Sequence, residues 1–205
     1  TLSNCSGDMA WSSDGRYLFY VLRDQETLLP FKLFRHEIGS SQSEDVLVYE
    51  EKDPTFYLSV GNSRSMQFIE INISSTTSSE VRLINSDTPE ESPYIFLKRE
   101  SDHLYSIEHD PEDNRFLVET NWLAKNFRLM AIDLKKSADK NEWTELIPHR
   151  EDILLQSALA FPNHLVVMER ENGLRHLKII NKKDNTERSI NFNDPAYSAY
   201  LAANP

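Results

Sequence analysis

Gly15-Arg16-Tyr17-Leu18-Phe19 is the stretch on which the reading of the fold turns. It leaves a polar Ser12-Ser13-Asp14 turn and opens an aromatic and aliphatic run, the composition of a strand entered from a tight turn. Similar stretches recur at Ser65-Met66-Gln67-Phe68-Ile69, Asn114-Arg115-Phe116-Leu117-Val118 and Asn163-His164-Leu165-Val166-Val167. Their first residues stand at 15, 65, 114 and 163, spacings of 50, 49 and 49. A second strand family keeps step: Leu33-Phe34-Arg35-His36, Val81-Arg82-Leu83-Ile84, Leu129-Met130-Ala131-Ile132 and Leu177-Lys178-Ile179-Ile180, spaced by 48 each time. Two interleaved families at one period mark a repeat architecture.

Outward from these two families, each unit gains a first and a last strand. Shorter apolar strands precede the template at 9–11, 56–60, 104–107 and 155–161, and more polar ones close the unit at 45–50, 93–98, 143–147 and 187–192. Four-stranded units of this period are the blades of a β-propeller. A two-sheet sandwich predicts no such register. The fold class is therefore all-β: a β-propeller with four blades of four antiparallel strands, at 5–52, 53–100, 101–148 and 149–192, and the start of a further blade at 196–205. The last strand of each blade is an edge and should be charged to discourage pairing; Thr186-Glu187-Arg188-Ser189 and Glu142-Trp143-Thr144-Glu145 fit. Residues 121–125 and 150–160 alone have a tolerable helical period, and both are short or compatible with strands.

Composition bounds the partners. The 205 residues carry 22 Lys plus Arg and 33 Asp plus Glu, a net charge of −11, which argues against binding a phosphate backbone. One Cys excludes an internal disulfide and a four-thiolate zinc site. No apolar run is long enough to span a membrane. The first residues have neither the basic nor the apolar region of a secretory signal, so a cytoplasmic location is expected. The chain does not begin with Met, which suggests a processed protein or a piece of a longer one.

No catalytic, cofactor-binding or metal-binding residue is assigned. Gly61-Asn62-Ser63-Arg64-Ser65 is one residue short of the G-x-S-x-G nucleophile elbow. That elbow needs a strand-to-helix turn, and here the segment joins two strands. The six His residues, 36, 103, 109, 149, 164 and 176, lack ligand spacing. Asp110-Pro111-Glu112-Asp113-Asn114 is rich in oxygen but lacks the glycine and distant glutamate of a calcium loop, and reads as an Asp-Pro turn. Arg170, Arg175, Lys182 and Lys183, interleaved with acids, read as solvated strand faces. Asn4-Cys5-Ser6 and Asn72-Ile73-Ser74 match the glycosylation pattern, which has no meaning without a secretory route.

Beyond the generic pattern, Trp11-Ser12-Ser13-Asp14-Gly15-Arg16-Tyr17-Leu18-Phe19-Tyr20 resembles a blade turn of the prolyl oligopeptidase family. Arg35-His36, a Gly/Ser loop and the run Asp45-Val46-Leu47-Val48-Tyr49-Glu50-Glu51-Lys52-Asp53-Pro54-Thr55-Phe56-Tyr57 are similar to its oligopeptidase B branch, as are residues 74–80 and 194–197. The resemblance extends over essentially the whole chain. It implies a serine peptidase in which a seven-bladed propeller covers an α/β-hydrolase domain and admits short peptides, cleaved after Arg or Lys. Seven blades would need about 340 residues. The chain would then be a non-catalytic propeller portion whose partners are the hydrolase domain of the same parent and short basic peptides. Its acidity would concentrate such peptides or, equally, serve solubility. Isolated, its end blades would expose apolar faces, so the chain should dimerise through them or close with strain. The rival is a stand-alone propeller that binds a protein partner and has no peptidase activity.

Overall fold

The computed structural model describes residues 2–192, 194 and 196–201. Sixteen strands among them form four antiparallel four-stranded sheets. The first sheet is β1 (Cys5–Trp11), β2 (Tyr17–Arg23), β3 (Pro30–Glu37) and β4 (Val46–Glu50). The second is β5 (Tyr57–Asn62), β6 (Phe68–Ser74), β7 (Ser79–Asn85) and β8 (Tyr94–Leu97). The third is β9 (Tyr105–Asp110), β10 (Arg115–Thr120), β11 (Arg128–Ile132) and β12 (Thr144–Ile147). The fourth is β13 (Ile153–Ala160), β14 (His164–Glu171), β15 (Leu174–Asn181) and β16 (Glu187–Ile190). In every sheet the strands lie in chain order, the meander of a propeller blade. No helix among the described residues is long and apolar enough to cross a membrane.

The chain divides into two compact units, residues 1–102 and 103–205. In the first, the face of β2 carrying Tyr17, Phe19 and Val21 meets the face of β6 carrying Ile69, Ile71 and Ile73, with Ala10, Leu33, Leu58 and Val60 closing the core. Alternate residues of each strand supply this core, as the two-residue side-chain period requires. The second unit repeats the plan with Leu117, Leu129 and Ala131 against Ala158, Ala160, Leu165 and Val167.

Turn chemistry sets the strand starts. Gly15 has φ +68°, and Asp14 Oδ1 accepts from Arg16 N at 2.9 Å. The comparable turns place Met66 at φ 61° and Asn114 at φ 47°, so the template strands start at Tyr17, Phe68 and Arg115, one to three residues later than the pattern suggests. Asn172 and Gly173, at φ 50° and 84°, make the tight β14–β15 hairpin with Glu171 paired to Leu174. Gly61 and Asn62, expected in a turn, end strand β5. The edge strand β16 is exposed throughout. Trp143, expected on a polar edge, is instead buried, its indole N–H donating to Ser137 O at 2.9 Å. Of residues 150–160, β13 takes Ile153–Ala160, and none is helical. Residues 196–201, expected to open a further blade, form no strand, and 202–205 lie outside the described residues.

Candidate functional site

Ser63, the serine of the elbow-like segment, is buried, and its Oγ accepts from Phe68 N at 3.0 Å. Ser12 does the same in the first sheet, its Oγ accepting from Tyr17 N at 2.9 Å. The serine is thus a repeated turn element. Asn62 beside it clamps two sheets: its Oδ1 accepts from Trp11 N at 2.9 Å and its Nδ2 donates to Trp11 O at 2.8 Å. The carboxamide reproduces a backbone pair across the gap between β1 and β5.

The histidines are dispersed, and no group of three potential metal ligands occurs among the described residues. His36 Nδ1 lies 2.7 Å from the buried carboxylate of Asp45, which also accepts from Tyr20 Oη at 2.7 Å. His103 bonds Thr120 Oγ1 through Nε2 at 2.8 Å. Burial pushes the pKa of His109 down against the opposing pull of Asp110.

The oxygen-rich 110–114 segment is an ion-pair knot. Asp110, 1% exposed at its side chain, contacts Lys182 Nζ at 2.7 Å and Arg115 Nε at 3.3 Å. Asp113 contacts the same two cations at 3.2 and 2.8 Å. Burial works against ionising Asp113, but Lys182 and Arg115 outweigh it and hold the carboxyl below its ordinary range. Lys182, read from sequence as solvated, is therefore a buried tie between the third and fourth sheets; its side chain is 9% exposed. Arg175 also has partners, Gln156 Oε1 at 3.2 Å and the Tyr200 ring at 4.2 Å. In the first unit, buried Glu51 receives Arg99 at 3.0 Å and the Tyr49 hydroxyl at 2.7 Å, and buried Glu80 receives Arg82 at 2.7 Å.

The second unit holds two further carboxylates in its inter-sheet layer. Glu169 is buried between Arg150 and Lys178, the latter at 3.0 Å. Burial opposes its charge, yet the hydrogen bonds from these cations keep its pKa below the usual carboxylate value. Glu119 has only burial acting on it, which pushes its pKa up to about 8. It lines a crevice of about 140 Å³ with Ser106, Glu108, Leu117, Ser157 and Ala158. Nothing in the composition or motif pattern singled out Glu119.

The whole chain, residues 1–205, matches the family model described as prolyl oligopeptidase, N-terminal beta-propeller domain. The chain belongs to the prolyl oligopeptidase family. It is 38% identical to dipeptidyl aminopeptidase BI of Pseudoxanthomonas mexicana over 100% of its own length and 28% of that protein. It is 33% identical to Protease 2 of Moraxella lacunata, over 94% of the chain and 27% of the relative. Among solved structures, oligopeptidase B from Leishmania major superposes with a TM-score of 0.85 at 27% identity, covering 94% of this chain and 28% of that one. Oligopeptidase B from Trypanosoma brucei, a closed form with covalently bound antipain, gives 0.84 at 25% identity, covering 95% and 28%. The chain thus spans under a third of the length of these peptidases. The expected propeller and the expected family both stand. What the chain shows is part of the N-terminal β-propeller of that family, and within each unit the ion-pair knots and the Asn62 clamp tie one sheet to the next.

Proposed function

We propose that this propeller is the substrate-gating portion of an oligopeptidase B-like serine peptidase that cleaves short peptides after Arg or Lys. An α/β-hydrolase domain elsewhere in the longer chain would carry the nucleophile. The observation that supports this most is the match to oligopeptidase B over 94% of the chain at a TM-score of 0.85. The charge of −11 supports a mechanism, since an acidic entrance raises the local concentration of cationic peptides and speeds encounter. The test is kcat/KM of the longer protein for a short basic peptide at low and high ionic strength. Steering predicts a fall as the Debye length shrinks from about 30 Å at 0.01 M to about 8 Å at 0.15 M. A rate independent of salt removes the steering role, and no cleavage after Arg or Lys removes the specificity.

The 38% identity to a dipeptidyl aminopeptidase favours a second reading, the release of dipeptides from a free amino terminus. Acetylating the amino terminus of a basic peptide separates the two: an endopeptidase still cleaves after Arg, whereas a dipeptidyl aminopeptidase does not.

A further inference from the structure

The two units are built on one plan, so their inter-sheet layers can be compared position by position. In the first unit Ala10 pairs with Phe19, and Val21 with Leu33; all four are 0% exposed. In the second unit the corresponding pairs are Glu108 with Leu117, and Glu119 with Leu129. Two glutamates therefore stand where the first unit has alanine and valine. Across the layer, Val60 paired with Ile71 becomes Ala158 paired with Val167, a loss of volume on the facing sheet. Larger polar side chains on one wall and a smaller residue on the other leave the crevice of about 140 Å³ between β10 and β13.

The crevice is furnished with acceptors. Ser106 lies opposite Glu119 on β9, and Ser157 on β13 contributes a buried Oγ with no hydrogen-bond partner. Glu108 Oε1 accepts from Ala160 N at 3.4 Å, so one end is fixed to the neighbouring strand. Glu119 keeps partial solvent access. The nearby acid Glu169 already holds Arg150 and Lys178, whereas no cation pairs with Glu119 among the described residues. Leaving a carboxylate in such a layer without a partner is costly, and its replacement by an apolar residue, as at Val21, is the stabilising choice. Its retention in one unit and not the other needs a use.

We propose that the crevice between β10 and β13 is a binding subsite for an alkylguanidinium group, with Glu119 as its counter-ion and Glu108, Ser106 and Ser157 as further acceptors. The volume is that of roughly four to five water molecules at ~30 Å³ each, which suits a planar guanidinium and the end of its stem. A guanidinium offers five donors in a rigid fork and is weakly hydrated, so it enters a half-buried carboxylate site more readily than an ammonium. In the peptidase this group would be the side chain of an arginine-containing peptide, and that biological identity rests on the function proposed above. The binding itself does not.

Of the crevice-lining residues, Glu108 and Glu119 alone titrate; β11 presents Leu129, and β13 presents Ser157, Ala158 and Leu159. With Glu119 titrating at about 8, a cation must compete with a proton, so affinity falls about tenfold per pH unit below that value. The experiment is a titration of the chain with propylguanidinium at pH 8.5 and at pH 6, read by the 13C shift of the Glu119 carboxyl. The expected result is saturable binding at pH 8.5, more than tenfold weaker binding at pH 6, and a lowered Glu119 pKa in the bound state. Glu119→Gln and Glu119→Val, the latter copying the first unit, should keep the far-UV spectrum and each lose roughly tenfold or more in affinity. Absence of binding at millimolar propylguanidinium overturns the subsite. So does affinity unchanged in Glu119→Gln, or equal binding of tetramethylammonium, which has no donors. Cleavage of basic peptides by the longer protein is a separate readout, so the subsite can fail while the peptidase reading survives.

Discussion

Lys182→Met removes the cation that ties the third sheet to the fourth. Asp110 is 1% exposed and Lys182 9%, so the pair is shielded from solvent. Removing one partner of such a pair costs about 3–5 kcal/mol, because the other charge stays buried and uncompensated. Arg115 remains 3.3 Å from Asp110 and carries part of the charge, which lowers the expected loss to about 2–4 kcal/mol. For a chain of this size that is roughly 4–16 °C in Tm. Hydrogen exchange read strand by strand is the sharper assay: peptides from β9 and β15 should exchange faster, while those from β1 and β5 in the other unit stay unchanged. Asp110→Leu added to Lys182→Met should recover most of the loss, since an apolar pair avoids the desolvation altogether. A loss under about 1 kcal/mol, or a double variant no better than the single, would refute the claim that the knot holds these sheets together.

Other consequences are testable in the same material. The pH profile of stability should peak near about pH 5, with opposite limbs. Glu169 and Asp113 are held below 4.5 and 3.8, so their contribution is present above those values and is lost as the pH falls through the lower folded ones. Glu119 is raised from 4.5 to about 8, so its contribution is present below 4.5 and is lost as the pH rises to about 8. Glu119→Val should flatten the alkaline limb alone; urea unfolding between pH 3 and 9 reads both. Asn62→Ala leaves the Trp11 backbone without both partners and should cost about 1–2 kcal/mol, measured by chemical denaturation. Ser63 should resist a fluorophosphonate label, because its Oγ is buried and bonded to Phe68 N; labelling of Ser63 would contradict the turn assignment. The isolated chain should dimerise through its end-sheet faces or close with strain; sedimentation velocity checks the first, and a monomer at all concentrations tested would exclude it.

The architecture was legible because each strand carries its own signal. Tyr17, Phe19 and Val21 alternate on one face, as do Ile69, Ile71 and Ile73, and the turn at Asp14-Gly15 announces itself. What failed depends on partners distant in the chain. Lys182 looks solvated beside Lys183, and only the fold brings it to Asp110, 72 residues away. Trp143 sits among Glu142, Thr144 and Glu145, and its burial follows from the acceptor at Ser137 O. Met66 reads as a strand residue, but its place matches Gly15 in a left-handed turn. The carboxylates of the second unit could have been found by laying its core positions over those of the first, where Ala10 and Val21 stand against Glu108 and Glu119. The strand pairings of the structure supply that alignment, one residue off the template period, and what fills each position supplies the site.

The same pairings bear on how the net charge acts. Ion pairs within the sheets add little negative charge to the distant field, because each group holds at least as many cations as carboxylates. Glu169 engages both Arg150 and Lys178, and Lys182 and Arg115 are shared between Asp110 and Asp113. Glu51 and Glu80 engage Arg99 and Arg82 in the same way. These pairs occupy cations that would otherwise offset acids elsewhere in a chain of 33 acidic and 22 basic residues. In the function proposed above, an acidic surface over ion-paired sheets would attract a basic peptide without exchanging partners with it. Glu119 is the exception, a half-buried carboxylate with no cation of its own among the described residues. A guanidinium drawn in by the surface field would find there the counter-ion that the other buried carboxylates have already engaged.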